Sequence, residues 1–200
     1  MTDRVWLVRH ASTAWSGQRW CGRTDLPLSA AGRAEAVLLA SRLVVVLPTT
    51  VTLVSSPALR ARETAAPIAQ ATGLQVEVDD ALREVDFGRA EGCTWDEMRR
   101  RLPALAAALA ASETEIDWPD GETAQAFRQR TEAMWRRVSA GDRSVVLVSH
   151  GGIIRSLLAG PVASPAPALI APASVIELAR TGVGWAIAST SEAAKEDRFE

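Results

Sequence analysis

The sequence predicts an α/β fold: a three-layer sandwich in which a mostly parallel central sheet carries helices on both faces. Two observations point to it. Short apolar runs alternate with longer stretches of helical period along most of the chain, the pattern of repeated strand–helix units. Two of those runs are also near copies of each other: "VWLVRH", Val5 to His10, and "VVLVSH", Val145 to His150. They are apolar at successive positions, as central strands buried on both faces are. Each ends in one of the only two histidines in the 200-residue chain. In open parallel sheets ligands bind beyond the carboxyl ends of the strands, so the active site is expected there, with His10 and His150 in it.

The elements follow in order. Val5 to Val8 is the first strand, and Ala11 to Pro27, lacking either period, is an ordered loop. Ser29 caps a helix reaching about Val46, and Pro48 closes it. Val51 to Pro57 is the second strand, with Ser56 and Pro57 read as N-cap and first-turn proline of the next helix. That helix runs to about Ala71 and stops at Gly73. Gln75 to Val78 alternates as a third strand, and Leu82 to Gly92 is a polar loop. Thr94 to Ala111 is helical with a break at Pro103. Asp117 to Thr123 is a turn, followed by an amphipathic helix to Ser139. Ser144 to Ser149 is the fourth strand, and Gly151 to Leu158 opens another helix. Gly160 to Pro172 reads as a surface linker. Ala173 to Ala179 and Val183 to Ala188 form a hairpin, and residues past Ser191 read as a mobile tail. The whole chain, 1–200, is expected to be one domain with a helical cap-like insertion at about 93–122.

Composition narrows the function. The net charge of −2 gives no general attraction to nucleic acid or to an anionic membrane. No apolar stretch approaches the roughly 20 residues a membrane span needs. Cys21 and Cys93 show neither a disulfide framework nor metal-ligand spacing, and no basic-then-apolar leader precedes the first strand; a cytoplasmic setting is expected. Lys195 is the only lysine, and no glycine-rich loop ends in one, which excludes a P-loop kinase. A monomer and a homodimer are equally compatible with the sequence.

The candidate chemistry lies in a constellation. Arg9 adjoins His10, Arg60 sits in the first turn of the second helix, and Glu84 lies in the acid loop "LREVDFGRAEG". Gly151 and Gly152 follow His150, where glycine lets backbone N–H groups at a helix start approach an anion. Singly, each has a plain structural reading: a satisfied strand-end histidine, a solvated arginine, a surface carboxylate, a tight turn. Together, two histidines, two arginines and a carboxylate would converge on one pole of the sheet. Arginine forks match phosphate oxygens bidentately. Nearby cations keep an imidazole neutral and hence nucleophilic, and the same cations would repel a divalent metal.

These segments resemble, in order, the motifs of the histidine phosphatase superfamily, the phosphoglycerate-mutase-like fold. "LVRHAST" is similar to its R-H-G signature, and "CGRTDLPLSAAG" to G-x-x-D-x-P-L-[ST]-x-x-G. "VSSPALRARETA" resembles its second arginine motif, "LREVDFGRAEG" its acid loop, "PDGET" its P-x-G-E-[ST] turn, and "VSHGGIIRSLL" its second histidine motif. The resemblance covers Val5 to Leu158. It implies that His10 attacks phosphorus and forms a phosphohistidine. Arg9, Arg60 and His150 would hold the phosphoryl oxygens, and Glu84 would protonate the leaving alkoxide and then activate water. It assigns Ser16, Cys21, Gly22 and Gly151 to substrate binding and requires neither metal nor cofactor.

Three positions depart from the family pattern: Ala11 replaces the glycine after the first histidine, Ser16 an asparagine, and Cys21 a glutamine. The short chain and the "EVDFG" acid loop resemble the phosphatase branches rather than the cofactor-dependent mutases, whose loop reads E-R-x-Y-G. The expected activity is hydrolysis of a small phosphorylated metabolite; a mutase-type phosphotransferase and an inactive phosphoprotein-binding relative are the alternatives. "CGRTDLPL" is similar to the corresponding segment of α-ribazole phosphatases. The segment from Thr94 to Trp118 offers tryptophans and few cations, which argues against a strongly anionic substrate such as a bisphosphate.

Overall fold

The computed structural model describes residues 3–111, 115–165 and 170–191. Six strands form one sheet: β1 (Arg4–Arg9), β2 (Val51–Ser55), β3 (Val76–Val78), β4 (Ser144–Ser149), β5 (Val175–Thr181) and β6 (Gly184–Ser191). Their spatial order is β3-β2-β4-β1-β5-β6. The first four run parallel, and the β5–β6 hairpin joins antiparallel against β1. Among the described residues six α-helices accompany the sheet: α1 (Ala30–Val46), α2 (Leu59–Thr72), α3 (Trp95–Arg101), α4 (Pro103–Ala110), α5 (Ala124–Ala140) and α6 (Gly151–Ala159).

The period-2 alternation of the central strands divides the core into two layers. Trp6 and Val8 of β1 and Val146 and Val148 of β4 face α1 and α2, packing on Leu39, Leu43, Ala65 and Ile68. Their neighbours Val5, Leu7, Val145 and Leu147 face the other way, onto Met134 and Trp135 of α5 and Ile153 and Leu157 of α6. A third apolar cluster, outside the sheet, packs Phe87, Cys93, Met98, Leu102 and Leu105 beneath α3 and α4.

The helix punctuation explains most boundaries. Ser29 accepts from the Gly32 N–H, Gly73 ends α2 in the left-handed region at φ 73°, and Thr94 with Glu97 closes a capping box before α3. Pro103 starts α4 afresh after Leu102 leaves helical geometry. Two expectations need correction. Ser56 is not an N-cap: Ala58 holds that position without a side-chain bond, and Pro57 precedes the helix instead of opening it. Strand β6 extends past Ala188 to Ser191 because it stays paired along β5. Part of the expected linker (166–169) and the expected tail (192–200) lie outside the described residues. No described helix is long and apolar enough to cross a membrane.

Candidate active site

The two histidines meet because β1 and β4 are neighbours in parallel register, with Arg9 opposite Ser149. The His10 N–H continues that ladder, donating to the Ser149 carbonyl at 2.9 Å, and the His10 carbonyl accepts from Ala173 N–H at 3.3 Å. The ring centroids of His10 and His150 are 5.1 Å apart. His10 Nδ1 lies 2.8 Å from the Ala11 carbonyl oxygen. A carbonyl only accepts, so Nδ1 carries the proton and Nε2 keeps its lone pair. The alanine in place of glycine therefore preserves the carbonyl that orients the ring. Burial pushes the His10 pKa well below its ordinary value, and Arg60 and Arg9 push it the same way. His150 is lowered for the same leading reason, with Arg60, His10 and Arg9 adding to it. Both rings are neutral near pH 7.

Arg60 is fully buried. Its guanidinium donates to the carbonyls of Thr24 and Gly22, each at 2.9 Å, and of Cys21 at 3.3 Å. Those carbonyls turn inward because Glu91, on the other side of the loop, gathers the amides. It accepts from Gly22 at 2.9 Å, Thr24 at 3.0 Å and Arg23 at 3.3 Å. Arg9 is anchored through Nη1 on the Ile170 carbonyl. Burial lowers its guanidinium pKa, an effect that Glu84 opposes. Three buried nitrogens of this pole have no hydrogen-bond partner among the described residues: Nε of Arg9, Nε of Arg60 and Nδ1 of His150. Unsatisfied buried donors are rare in native proteins, and three in one cluster of cationic and imidazole groups suit a multiply charged oxyanion.

Glu84 is 7% exposed, with Oε2 accepting from Gly152 N–H and Oε1 from Val85 N–H, both at 3.0 Å. Burial raises its pKa; the two amides and the arginines work against that rise. The loop that carries it is held from behind. Arg130 donates to the carbonyls of Ala81 and Arg83 at 2.8 and 2.9 Å and to the Glu122 carboxylate of the "PDGET" turn at 2.7 and 2.9 Å. Glu91, Glu122 and Arg130 were not among the expected site residues. The signal for the two acids lay inside the quoted motifs, whereas Arg130 has no local sequence mark.

The substrate-binding expectations divide. A cavity of about 1020 Å³ opens over His10, and Ser16, Cys21 and Gly151 line it together with Arg9, Glu84 and Arg155. The Ser16 hydroxyl accepts from Thr13 N–H at 2.9 Å. Cys21 faces Thr24, and burial raises its thiol pKa, which keeps the nucleophilic thiolate scarce. Gly22 does not line the cavity: its amide is engaged by Glu91 and its carbonyl by Arg60, so it supports the arginine. Gly152 is the glycine this site requires, because a Cβ there would lie 2.3 Å from Glu84 Oε1, whereas one on Gly151 would meet only Arg9 at 3.9 Å.

The outer walls are aromatic: Trp15, Trp20, Phe87, Trp95, Trp118 and Phe127. Trp20, Phe87 and Trp118 stack on one another with centroids 4.5 to 5.3 Å apart. Two of the wall's cations are neutralised, Arg19 by Glu97 and Arg128 by Glu115. Among the described residues no group of three or more metal-ligating side chains is gathered.

Comparison with known proteins agrees with this geometry. The model of the histidine phosphatase superfamily (branch 1) matches residues 5–192. The glucosyl-3-phosphoglycerate phosphatase of Mycobacterium tuberculosis is 35% identical over 174 residues, covering 81% of this chain and 76% of that protein. Phosphoglycerate mutase-like protein 4 of Arabidopsis thaliana is 35% identical over 157 residues, covering 76% and 67%. The native structure of the mycobacterial glucosyl-3-phosphoglycerate phosphatase superposes with a TM-score of 0.80 at 31% identity, covering 93% of this chain and 97% of that one. With the family model spanning nearly the whole chain and its motifs meeting at one pole of the sheet, the protein belongs to branch 1 of the histidine phosphatase superfamily.

Proposed function

We propose that this phosphatase-family protein is a metal-independent phosphomonoester hydrolase that acts on small phosphorylated metabolites through a phosphohistidine. The carrying observation is a neutral, carbonyl-oriented His10 with its lone pair on Nε2, set beside a cluster of buried donors without hydrogen-bond partners among the described residues. In the first step Nε2 attacks phosphorus, the bond to the leaving oxygen breaks, and Glu84 delivers its proton to that oxygen. In the second, the Glu84 carboxylate takes a proton from water as the water oxygen attacks phosphorus; the P–N bond breaks and His10 is regenerated. Arg9, Arg60 and His150 stabilise the charge on the three peripheral oxygens in both steps. A raised Glu84 pKa suits the acid role. On this reading α3, α4 and residues 115–118 act as a cap over the cavity.

The mutase reading keeps support from the mutase-like relative. Hydrolysis is supported by the roughly 1020 Å³ cavity over His10, which leaves water room to reach a phosphohistidine; a mutase must return the phosphoryl group to a second hydroxyl and exclude water. The test is phosphate release from a panel of monoesters, including p-nitrophenyl phosphate, α-ribazole phosphate, glucosyl-3-phosphoglycerate and 3-phosphoglycerate, with EDTA present, for the native chain and His10→Ala. Turnover that persists in EDTA and vanishes in the variant is expected. An isomerised ester without free phosphate would establish the mutase instead, and no turnover of any ester would favour a binding protein.

A further inference from the structure

We infer that Ser56 is a positioning residue: its hydroxyl donates to Nε2 of His150 and so fixes the proton of that imidazole on Nδ1, the nitrogen left to donate to the phosphoryl group. The residue is fully buried, and its Oγ has two partners among the described residues, Ala58 N–H at 3.3 Å and His150 Nε2 at 2.9 Å. An amide N–H only donates, so Oγ accepts from Ala58. The hydroxyl proton then has one acceptor in reach, the Nε2 lone pair. A neutral imidazole carries a single N–H; if Nε2 is the acceptor, Nδ1 is the donor. The opposite tautomer would leave the buried hydroxyl proton without an acceptor and would aim a lone pair, not a donor, at anionic oxygens. Each fault is penalised when buried, because the unpaired group has given up its water.

The backbone holds Ser56 in this role. Its N–H donates to Val148 O at 2.9 Å, extending the β2–β4 ladder by one residue, and its own carbonyl accepts from Ser55 Oγ at 2.9 Å. The hydroxyl is therefore fixed relative to the strand that ends in His150. Burial and the nearby arginines keep His150 neutral, which is what makes the choice of tautomer matter. A protonated ring would donate from both nitrogens whatever Ser56 did.

The significance for catalysis rests on the phosphatase reading, but the tautomer does not, and the experiment separates them. The chain has two histidines, so ¹⁵N imidazole spectra contain two rings, and His10, tied to the Ala11 carbonyl, is an internal Nδ1–H reference. The expected result for the native protein is Nδ1–H at both rings, and for Ser56→Ala a His150 signal moved toward the Nε2–H form with His10 unchanged. Kinetically, Ser56→Ala should lower kcat about tenfold and change KM less than twofold. Ser56→Cys, close in size but a weaker donor, should fall between. An Nε2–H signal for His150 in the native protein overturns the inference even if Ser56→Ala does not fold. So does a His150 signal that is unmoved in a folded Ser56→Ala. A confirmed tautomer in a protein without phosphatase turnover would leave Ser56 in place and remove only the proposed reaction.

Discussion

The site has two ends of opposite construction: a buried pole, where Arg60 and His150 are enclosed beneath the cavity without lining it, and an open mouth. At the sheet pole His10, Glu84, Arg60 and His150 are buried, and backbone groups hold three of them directly: His10 by the Ala11 carbonyl, Arg60 by three carbonyls, and Glu84 by two amides. At the mouth the walls are ring faces from separate loops and short helices, with Trp95 40% exposed and rim charges paired with each other. The pole fixes donors to within a hydrogen-bond length, as phosphoryl transfer demands. The mouth offers shape and apolar area, which tolerate variation. Rate should therefore be set at one end and choice of leaving group at the other.

The strongest test of that division is Arg60→Lys. An ammonium cannot span three carbonyls with a planar fork, so kcat/KM should fall about 10³-fold for every substrate alike. Gly152→Ala comes next. Its methyl group displaces the Glu84 carboxylate, and a misplacement of that order costs about 10²-fold; the loss should be greater for alkyl phosphates, whose leaving group needs a proton, than for p-nitrophenyl phosphate. Circular dichroism separates this from unfolding.

The pH profile is the third. Burial raises the pKa of Glu84 and lowers that of His10, which moves each toward the form the first step needs, a protonated acid and a neutral nucleophile. Turnover of alkyl esters should decline as pH rises through the raised Glu84 value, and that limb should flatten for p-nitrophenyl phosphate. The smallest effect is expected of Trp95→Ala: KM should rise about two- to tenfold for ring-bearing esters, the worth of one aromatic contact, with kcat and small-ester kinetics unchanged. If Trp95→Ala lowered kcat as much as Gly152→Ala, the two ends would not be separable.

The strands and the histidines were legible because they rest on local pattern: apolar runs, a serine cap, a glycine stop. Ser56 was misread for the same reason. A serine before Pro57 is a plausible helix start locally, and only the β2–β4 pairing shows that its hydroxyl serves His150 instead. Arg60 stands in the first turn of α2, as its sequence position implies, but the means of holding it is not visible there, since carbonyls carry no residue signature and Glu91 looks like any loop carboxylate. Gly151 and Gly152 are indistinguishable as letters; the 2.3 Å approach of Glu84 separates them. The aromatic mouth was partly foreseen, yet which of seven tryptophans join it depends on contacts among segments far apart in the chain.

The placement of β1 has a consequence for how the protein comes into being. The strand carrying His10 is made before its neighbours on both sides, β4 and β5, which lie in the last third of these 200 residues, with Val5 against Val145 and Leu178. Such distant pairings close late, because the loop entropy must be met before they contribute. On the proposed reading, recovery of activity on refolding thus marks the completion of the central sheet itself, and a nascent chain that stops short of β4 has Arg9, His10 and Arg60 but not His150, nor the strand that sets it beside His10.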